Sequence, residues 1–176
     1  VTVGGKKSQS FGAFTVGQSK KILDHIDGSK DLKEYEKWVF RLAFYSGMRS
    51  NEIMSVTKAN IKQDADTNVW YILVSDSKTE AGIRKVPIHN LLIDSGFIDF
   101  SRGSVEEEFL NLAKDKQHHF LNKLKKVCAS LEIPMVNDFG QRLVFHSIRH
   151  TVITQLTGKG VPDPVLQSLV GHEISQ

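Results

Sequence analysis

In the stretch Phe145-His146-Ser147-Ile148-Arg149-His150-Thr151 a histidine and an arginine stand one helical turn apart, and a further histidine follows a glycine at Gly171-His172. Residues at that separation share one side of a helix, so His146 and Arg149 can converge on one small anion. A phosphate diester suits such a pair, because the guanidinium fork grips non-bridging oxygens and the imidazole handles a proton. His146 and His150 together also have the spacing of a helical metal pair. The glutamate of the His-Glu-x-x-His motif is missing, however, and the intervening Arg149 would repel a cation. His150 reads equally as a packing or hydrogen-bonding residue. Gly171 lets the backbone turn sharply and projects His172 from the end of a helix.

Upstream cations could be aimed at the same point. Arg49 follows Gly47-Met48 and stands at the start of a predicted helix, where the N-terminus itself favours an anion. Glu52, one turn on, can orient its guanidinium from behind; alone, the pair also reads as an ordinary surface ion pair. Lys78 falls in the turn of a predicted hairpin, able to reach into a groove and protonate a leaving oxygen, or simply to face solvent. Arg84 and Lys85, across that turn, are candidate contacts to a DNA backbone.

The elements that must position these side chains are mostly helical. Thr15 caps a helix through about Ile26, with Gly28 ending it, and Asp31 opens a second whose buried stripe is Trp38, Val39, Leu42, Ala43 and Tyr45 up to Gly47. A short helix follows over 50–56. Then the period changes to that of strands at 60–63, 69–75 and 84–88, joined by turns at 64–68 and 78–82, with Pro87 tolerable near a sheet edge. Further helices are predicted over 90–95, 104–113, 116–131, 146–157 and 162–169. The expected fold is mainly α with a small three-stranded antiparallel sheet (α+β). Residues 1–14, rich in Gly, Ser and Lys, read as a linker or trimmed interdomain segment.

The 176 residues suit one well-cored domain, and 40% hydrophobic with 24% charged residues is ordinary globular composition. A net charge of +3 permits contact with a polyanion without establishing it. Lys114, Lys116, Lys123, Lys125 and Lys126 read as a solvated helix face. The single cysteine, Cys128, rules out an internal disulfide and reads as packing. No apolar run reaches transmembrane length and no signal pattern opens the chain, so a cytoplasmic protein that does not meet a membrane is expected.

Four stretches in this order resemble the catalytic domain of the tyrosine recombinases, the phage integrase family. They are Tyr45-Ser46-Gly47-Met48-Arg49-Ser50-Asn51-Glu52-Ile53, Asp76-Ser77-Lys78-Thr79 before Val86-Pro87-Ile88, the His146–Arg149 segment, and Leu169-Val170-Gly171-His172. The likeness runs from about Thr15 to the end, interrupted by a variable 90–140 region. Residues 86–97 also look like integrases of prophages and mobile elements.

The resemblance implies the tyrosine recombinase catalytic-domain fold and site-specific DNA recombination through a 3′-phosphotyrosine, with no metal and no nucleotide cofactor. In it Arg49 and Arg149 clamp the scissile phosphate. Lys78 is the general acid to the 5′-oxygen, His146 the general base or proton shuttle, and His172 a donor to a non-bridging oxygen, with Glu52 supporting Arg49. Implied partners are double-stranded DNA and further copies of the chain, a tetramer during synapsis and a monomer in isolation, near the nucleoid of a bacterial or phage-encoded system. One departure stands out. The family's nucleophilic tyrosine follows the Gly-His pair, whereas Tyr35, Tyr45 and Tyr71 all lie far upstream. The expectation is therefore that 15–176 is a catalytic domain lacking the nucleophile-bearing tail, with an amino-terminal DNA-clamping domain also removed. Two other readings stay open: a DNA-binding remnant or regulator of the same fold, and a metal-dependent hydrolase built on His146, His150 and His172.

Overall fold

The computed structural model describes residues 11–75, 83–103 and 117–171. Helix α1 (Val16–Gly28) is closed at its start by a capping box: Thr15 Oγ1 accepts from the Gln18 N–H at 3.1 Å and Gln18 Oε1 accepts from the Thr15 N–H at 2.9 Å. Helix α2 (Glu34–Ser46) forms the centre of the core. Its Trp38, Val39, Phe40, Leu42 and Ala43 are all buried, and it packs against α1 and the later helices. Gly47 then adopts a left-handed conformation at φ 64°, which ends the helix and turns the chain into the short α3 (Ser50–Met54).

A 3₁₀ turn over Lys58–Asn60 leads into the sheet. Strands β1 (Ile61–Gln63), β2 (Trp70–Val74) and β3 (Arg84–Pro87) pair antiparallel in the order β1-β2-β3. In β3 the period-two alternation turns Arg84 and Val86 to the protein side and leaves Lys85 and Pro87 exposed. The register puts Arg84 opposite Val74 and Pro87 opposite Tyr71, so Pro87 does sit on an edge strand.

Helices α4 (Asn90–Asp94), α5 (Phe97–Gly103), α6 (Gln117–Ser130), α7 (Phe145–Gly158) and α8 (Asp163–Val170) complete the described elements. Phe40 of α2 meets Phe120 of α6 and Phe145 of α7, with ring centroids 5.9 and 5.5 Å away, which locks three helices around one aromatic cluster. Helix α8 rests on α7 and on β3. None of the described helices is long and apolar enough to cross a membrane.

Several expectations change. Packed structure begins by Phe11, not Thr15: the Gly12 N–H donates to Arg142 O at 3.0 Å, the Phe14 N–H donates to Thr151 Oγ1 at 2.8 Å, and the Phe14 side chain is buried. Helix α2 is capped at Lys33, two residues after the predicted start, because the Glu36 carboxylate takes the Lys33 N–H at 2.8 Å. Helix α5 was not expected; it exists because Phe97 and Ile98 bury against the core, with the Phe97 ring 5.2 Å from that of Trp38 and tilted to it by 53°. The predicted helix over 104–113 lies outside the described residues. Lys123 is not part of a solvated face, since it reaches the buried Glu36 at 3.0 Å beside His119 at 2.6 Å, whereas Lys125 and Lys126 are exposed. Cys128 is buried, and burial pushes its thiol up to about 11.

Candidate phosphate site at the end of helix α8

Arg149 projects from α7 into the protein and is buried. Its Nη1 donates to Gly47 O at 2.8 Å and its Nη2 to Val170 O at 2.7 Å. The left-handed Gly47 thus does more than end α2, since its carbonyl is a seat for this guanidinium. A side chain at Gly47 would also come within 3.1 Å of Val152 Cγ1.

Arg49 caps α3, and the sequence expectation that Glu52 supports it has a specific geometry. Glu52 Oε2 accepts the Arg49 backbone N–H at 2.7 Å, and Glu52 Oε1 accepts from Arg49 Nη1 at 2.9 Å. Arg49 Nη2 then donates to Gly171 O at 2.9 Å. The Arg49 side chain remains 39% exposed while that of Glu52 is 8% exposed. One guanidinium is therefore open to solvent and the other enclosed, yet both donate to adjacent carbonyls of one turn.

Arg84 completes the group from β3, and here the expectation of a DNA-backbone contact meets a different geometry. Its side chain is only 5% exposed, inward-facing as the β3 alternation requires. Nη1 and Nη2 fork onto the Glu52 carboxylate at 3.0 and 2.9 Å, and Nε donates to Leu169 O at 2.7 Å. Lys85 keeps an outward position, paired with Asp64 at 2.9 Å and lying 4.7 Å over the Tyr71 ring.

The result is a cluster in which the consecutive carbonyls of Leu169, Val170 and Gly171 each receive a different arginine. These oxygens are unsatisfied within their own helix and carry the negative end of its dipole, so they are natural seats for cations. Among the described residues, three guanidinium charges meet one carboxylate, Glu52, which leaves an excess of positive charge among them in a partly desolvated place. Burial would raise the Glu52 carboxyl, but Arg84 and Arg49 outweigh it and hold Glu52 below the usual carboxylate range. Burial first, then Arg49 and Arg84, bring Arg149 down to about 10 against the opposing pull of Glu52, so it stays protonated at neutral pH.

His146 is the second residue of α7 and is half-buried, with Phe11 edge-on at 6.1 Å and His150 at 5.0 Å. It lines a cavity of about 170 Å³ with Ser50, His118, Leu121, Val144 and Phe145. Ser50 directly follows Arg49, so this cavity brings His146 next to the start of α3. His118 enters it from α6, a residue that sequence reasoning passed over inside a lysine-rich segment. His150 is held below its ordinary value by burial and by Arg149. Lys78 and His172 lie outside the described residues. Tyr45 packs on His89 at 5.1 Å, Tyr71 sits in β2 under Lys85, and Tyr35 is half-buried against the core.

The sequence profile of the phage integrase family matches residues 13–176. The chain belongs to the phage integrase family. Among curated proteins, transposase B from transposon Tn554 of Staphylococcus aureus strain Mu50 is 28% identical over 162 residues, covering 86% of this chain and 25% of that protein. Transposase B from transposon PsiTn554 of the same species is 28% identical over the same length. This family member thus spans about a quarter of the length of those curated relatives. Its fold is shared with XerH site-specific recombinase bound to difH substrate, at a TM-score of 0.71 and 17% identity over 94% of this chain and 48% of that one. The Tn1549 transposon integrase in complex with circular intermediate DNA gives 0.67 and 24% over 92% and 57% of the two chains. A lambda integrase tetramer bound to a Holliday junction gives 0.68 and 18% over 98% and 50%.

Proposed function

We propose that this chain grips and activates a DNA phosphodiester for site-specific strand exchange, moving a phage or other mobile element into or out of a duplex. The observation that carries this reading is the meeting of Arg49 and Arg149 on the adjacent carbonyls of Gly171 and Val170, backed by Glu52. An excess of positive charge there favours a diester over a neutral ligand, and favours a pentacoordinate phosphorane even more, because charge builds on its oxygens in the transition state.

In the proposed reaction a tyrosine hydroxyl attacks phosphorus, and the bond to the 5′-oxygen breaks. His146 takes up the tyrosine proton, while Lys78 supplies a proton to the departing 5′-oxygen. His172 and the two arginines hold the non-bridging oxygens. The products are a 3′-phosphotyrosine and a free 5′-hydroxyl, and a 5′-hydroxyl from another strand reverses the step. The phosphotyrosine stores the bond energy, so neither a nucleotide nor a metal is required by the scheme. The packing of Tyr35, Tyr45 and Tyr71 does not suit any of them as nucleophile, and the scheme assigns that role to none of the three. The partners are double-stranded DNA and, at synapsis, three further copies of a chain that is monomeric when free. The setting is the bacterial cytoplasm, at the nucleoid.

The test is covalent capture on a nicked suicide substrate by the full-length gene product. Wild type is expected to form a DNA–protein adduct, and Arg149→Ala to lose it by at least about 100-fold, the scale for removing one charge-stabilising donor. Undiminished adduct in Arg149→Ala sinks the assignment. DNA binding with no adduct in wild type favours the non-catalytic regulator instead.

A further inference from the structure

We infer that Arg84 is a positioning residue for the phosphate site, holding Glu52 and the last turn of α8 in place without itself touching the phosphate. The inference rests on the reading above. Burial does not separate Arg84, its side chain 5% exposed, from the buried Arg149. What does is that among the described residues no bond takes the Nε of Arg149 or Arg49, whereas every guanidinium nitrogen is engaged in Arg84. Its fork is occupied by both oxygens of Glu52 and its Nε by Leu169 O. Such a bidentate pair fixes direction as well as distance.

What Arg84 fixes is shared with the phosphate-gripping groups. Glu52 Oε1 accepts from Arg84 Nη1 at 3.0 Å and from Arg49 Nη1 at 2.9 Å, so the carboxylate is a hinge between them. Leu169, the acceptor for Arg84 Nε, lies immediately before the residues whose carbonyls seat Arg149 and Arg49. The guanidinium also covers Gly171 closely: an added Cβ there would lie 2.8 Å from Arg84 Nη1 and 3.0 Å from its Cζ. Gly171 has φ 68°, a left-handed cap that favours glycine for its own reason. The glycine before His172 is therefore required twice, by its backbone and by the plane of Arg84. Arg84 also opens β3, the strand that follows the segment carrying Lys78.

Lysine cannot substitute here, since an ammonium has no planar fork to span both Glu52 oxygens and reach Leu169. The experiment compares full-length wild type, Arg84→Lys and Arg84→Gln. Each is measured for DNA affinity across a salt series, for the single-turnover rate of covalent adduct formation at saturating DNA, and for unfolding. The expected result for Arg84→Lys is an unchanged salt slope and affinity with an adduct rate lower by about 100-fold, the scale of an ångström-sized misplacement of catalytic groups. A salt slope reduced by about one in Arg84→Gln, with affinity lost in proportion, overturns the inference by making Arg84 a direct phosphate contact. So does an undiminished adduct rate in both variants. Where a variant unfolds, the side-chain Nε–H resonance of Arg84 in wild type decides: slow solvent exchange and no shift on adding duplex are expected, and a DNA-induced shift equal to that of Arg49 refutes the proposal. Wild type that neither binds nor cleaves DNA fails the functional reading, an outcome separate from either result for Arg84.

Discussion

Replacing Glu52 with alanine is the perturbation for which the structure gives the clearest magnitude. Its carboxylate accepts from the Arg49 N–H, Arg49 Nη1, Arg84 Nη1 and Arg84 Nη2. Breaking a buried ion pair by removing one partner costs about 3–5 kcal/mol, because the remaining charge is stranded. Arg84, its side chain 5% exposed, loses its counter-charge with little access to water and keeps its bond to Leu169 O, while Arg49 at 39% can recover water. That argues for the lower end of the range, about 3 kcal/mol, with the lost cap on the Arg49 N–H already counted in it. For a chain of this size the loss corresponds to a Tm lower by about 6–12 °C.

Urea unfolding of wild type, Glu52→Ala, Arg84→Met and the double variant then measures the coupling directly. The double variant removes the stranded cation, so it is expected to be more stable than the sum of the single losses by about 2 kcal/mol. A Glu52→Ala loss under about 1 kcal/mol, together with additive single effects, refutes the reasoning. In that case the pair is solvated, and the claim that Glu52 organises the arginines fails with it.

Two further outcomes follow from the backbone and from titration. Gly171→Ala has to hold a left-handed φ of 68° and push Arg84 aside, so it is expected to destabilise by about 2 kcal/mol or more and to slow adduct formation. Gly158→Ala, at the end of α7 with open space around it, is the control and is expected to be neutral or slightly stabilising in the same urea series. His150 has a folded value below its ordinary 6.5, so the unfolded chain binds the proton more tightly. Its contribution to stability is present above about pH 6.5 and is lost as pH falls from there toward the folded value. His150→Asn is expected to flatten that part of the stability–pH curve, and an identical curve in the variant would show that His150 is not the group responsible.

Legibility in the sequence followed how local each interaction is. Thr15, Gly47, Gly171 and the Arg49–Glu52 pair were readable because caps and one-turn pairs are set by neighbours in the chain. The burial of Arg149 was not, since nothing nearby announces that Gly47 and Val170 will supply its acceptors. Arg84 was legible in principle. Strand alternation puts it on the same face as Val86, and its opposite number in β2 is the buried Val74. Reading it as a cation rather than as a position in a strand sent it to the surface. Lys123 was misread in the same way: it lies four residues after His119, and both converge on Glu36 of another helix. Residues 11–14 carried linker composition, yet Phe11 and Phe14 were the apolar signal of docking.

The use of carbonyls as seats for arginines explains how a site can be both rigid and cationic. Three guanidinium groups gathered from α3, β3 and α7 would ordinarily demand carboxylates to offset their repulsion and desolvation. Three carboxylates would make such a cluster neutral, and with it the proposed attraction for a phosphate would be lost. A helix terminus offers a different solution, since its free carbonyl oxygens direct and stabilise cations through a dipole carrying only about half an elementary charge. Leu169, Val170 and Gly171 provide these acceptors in sequence, and Glu52 supplies a full negative charge beside the enclosed Arg84, the one such charge in the cluster among the described residues. Geometry is thereby fixed by six guanidinium hydrogen bonds to Glu52 and the end of α8, and a seventh from Arg149 to Gly47 O at the end of α2, while the described cluster keeps a net positive charge. The position of α8 against β3 and α7 is what makes the arrangement possible. The proposed grip on a phosphate would therefore depend on where that helix ends as much as on the arginines themselves.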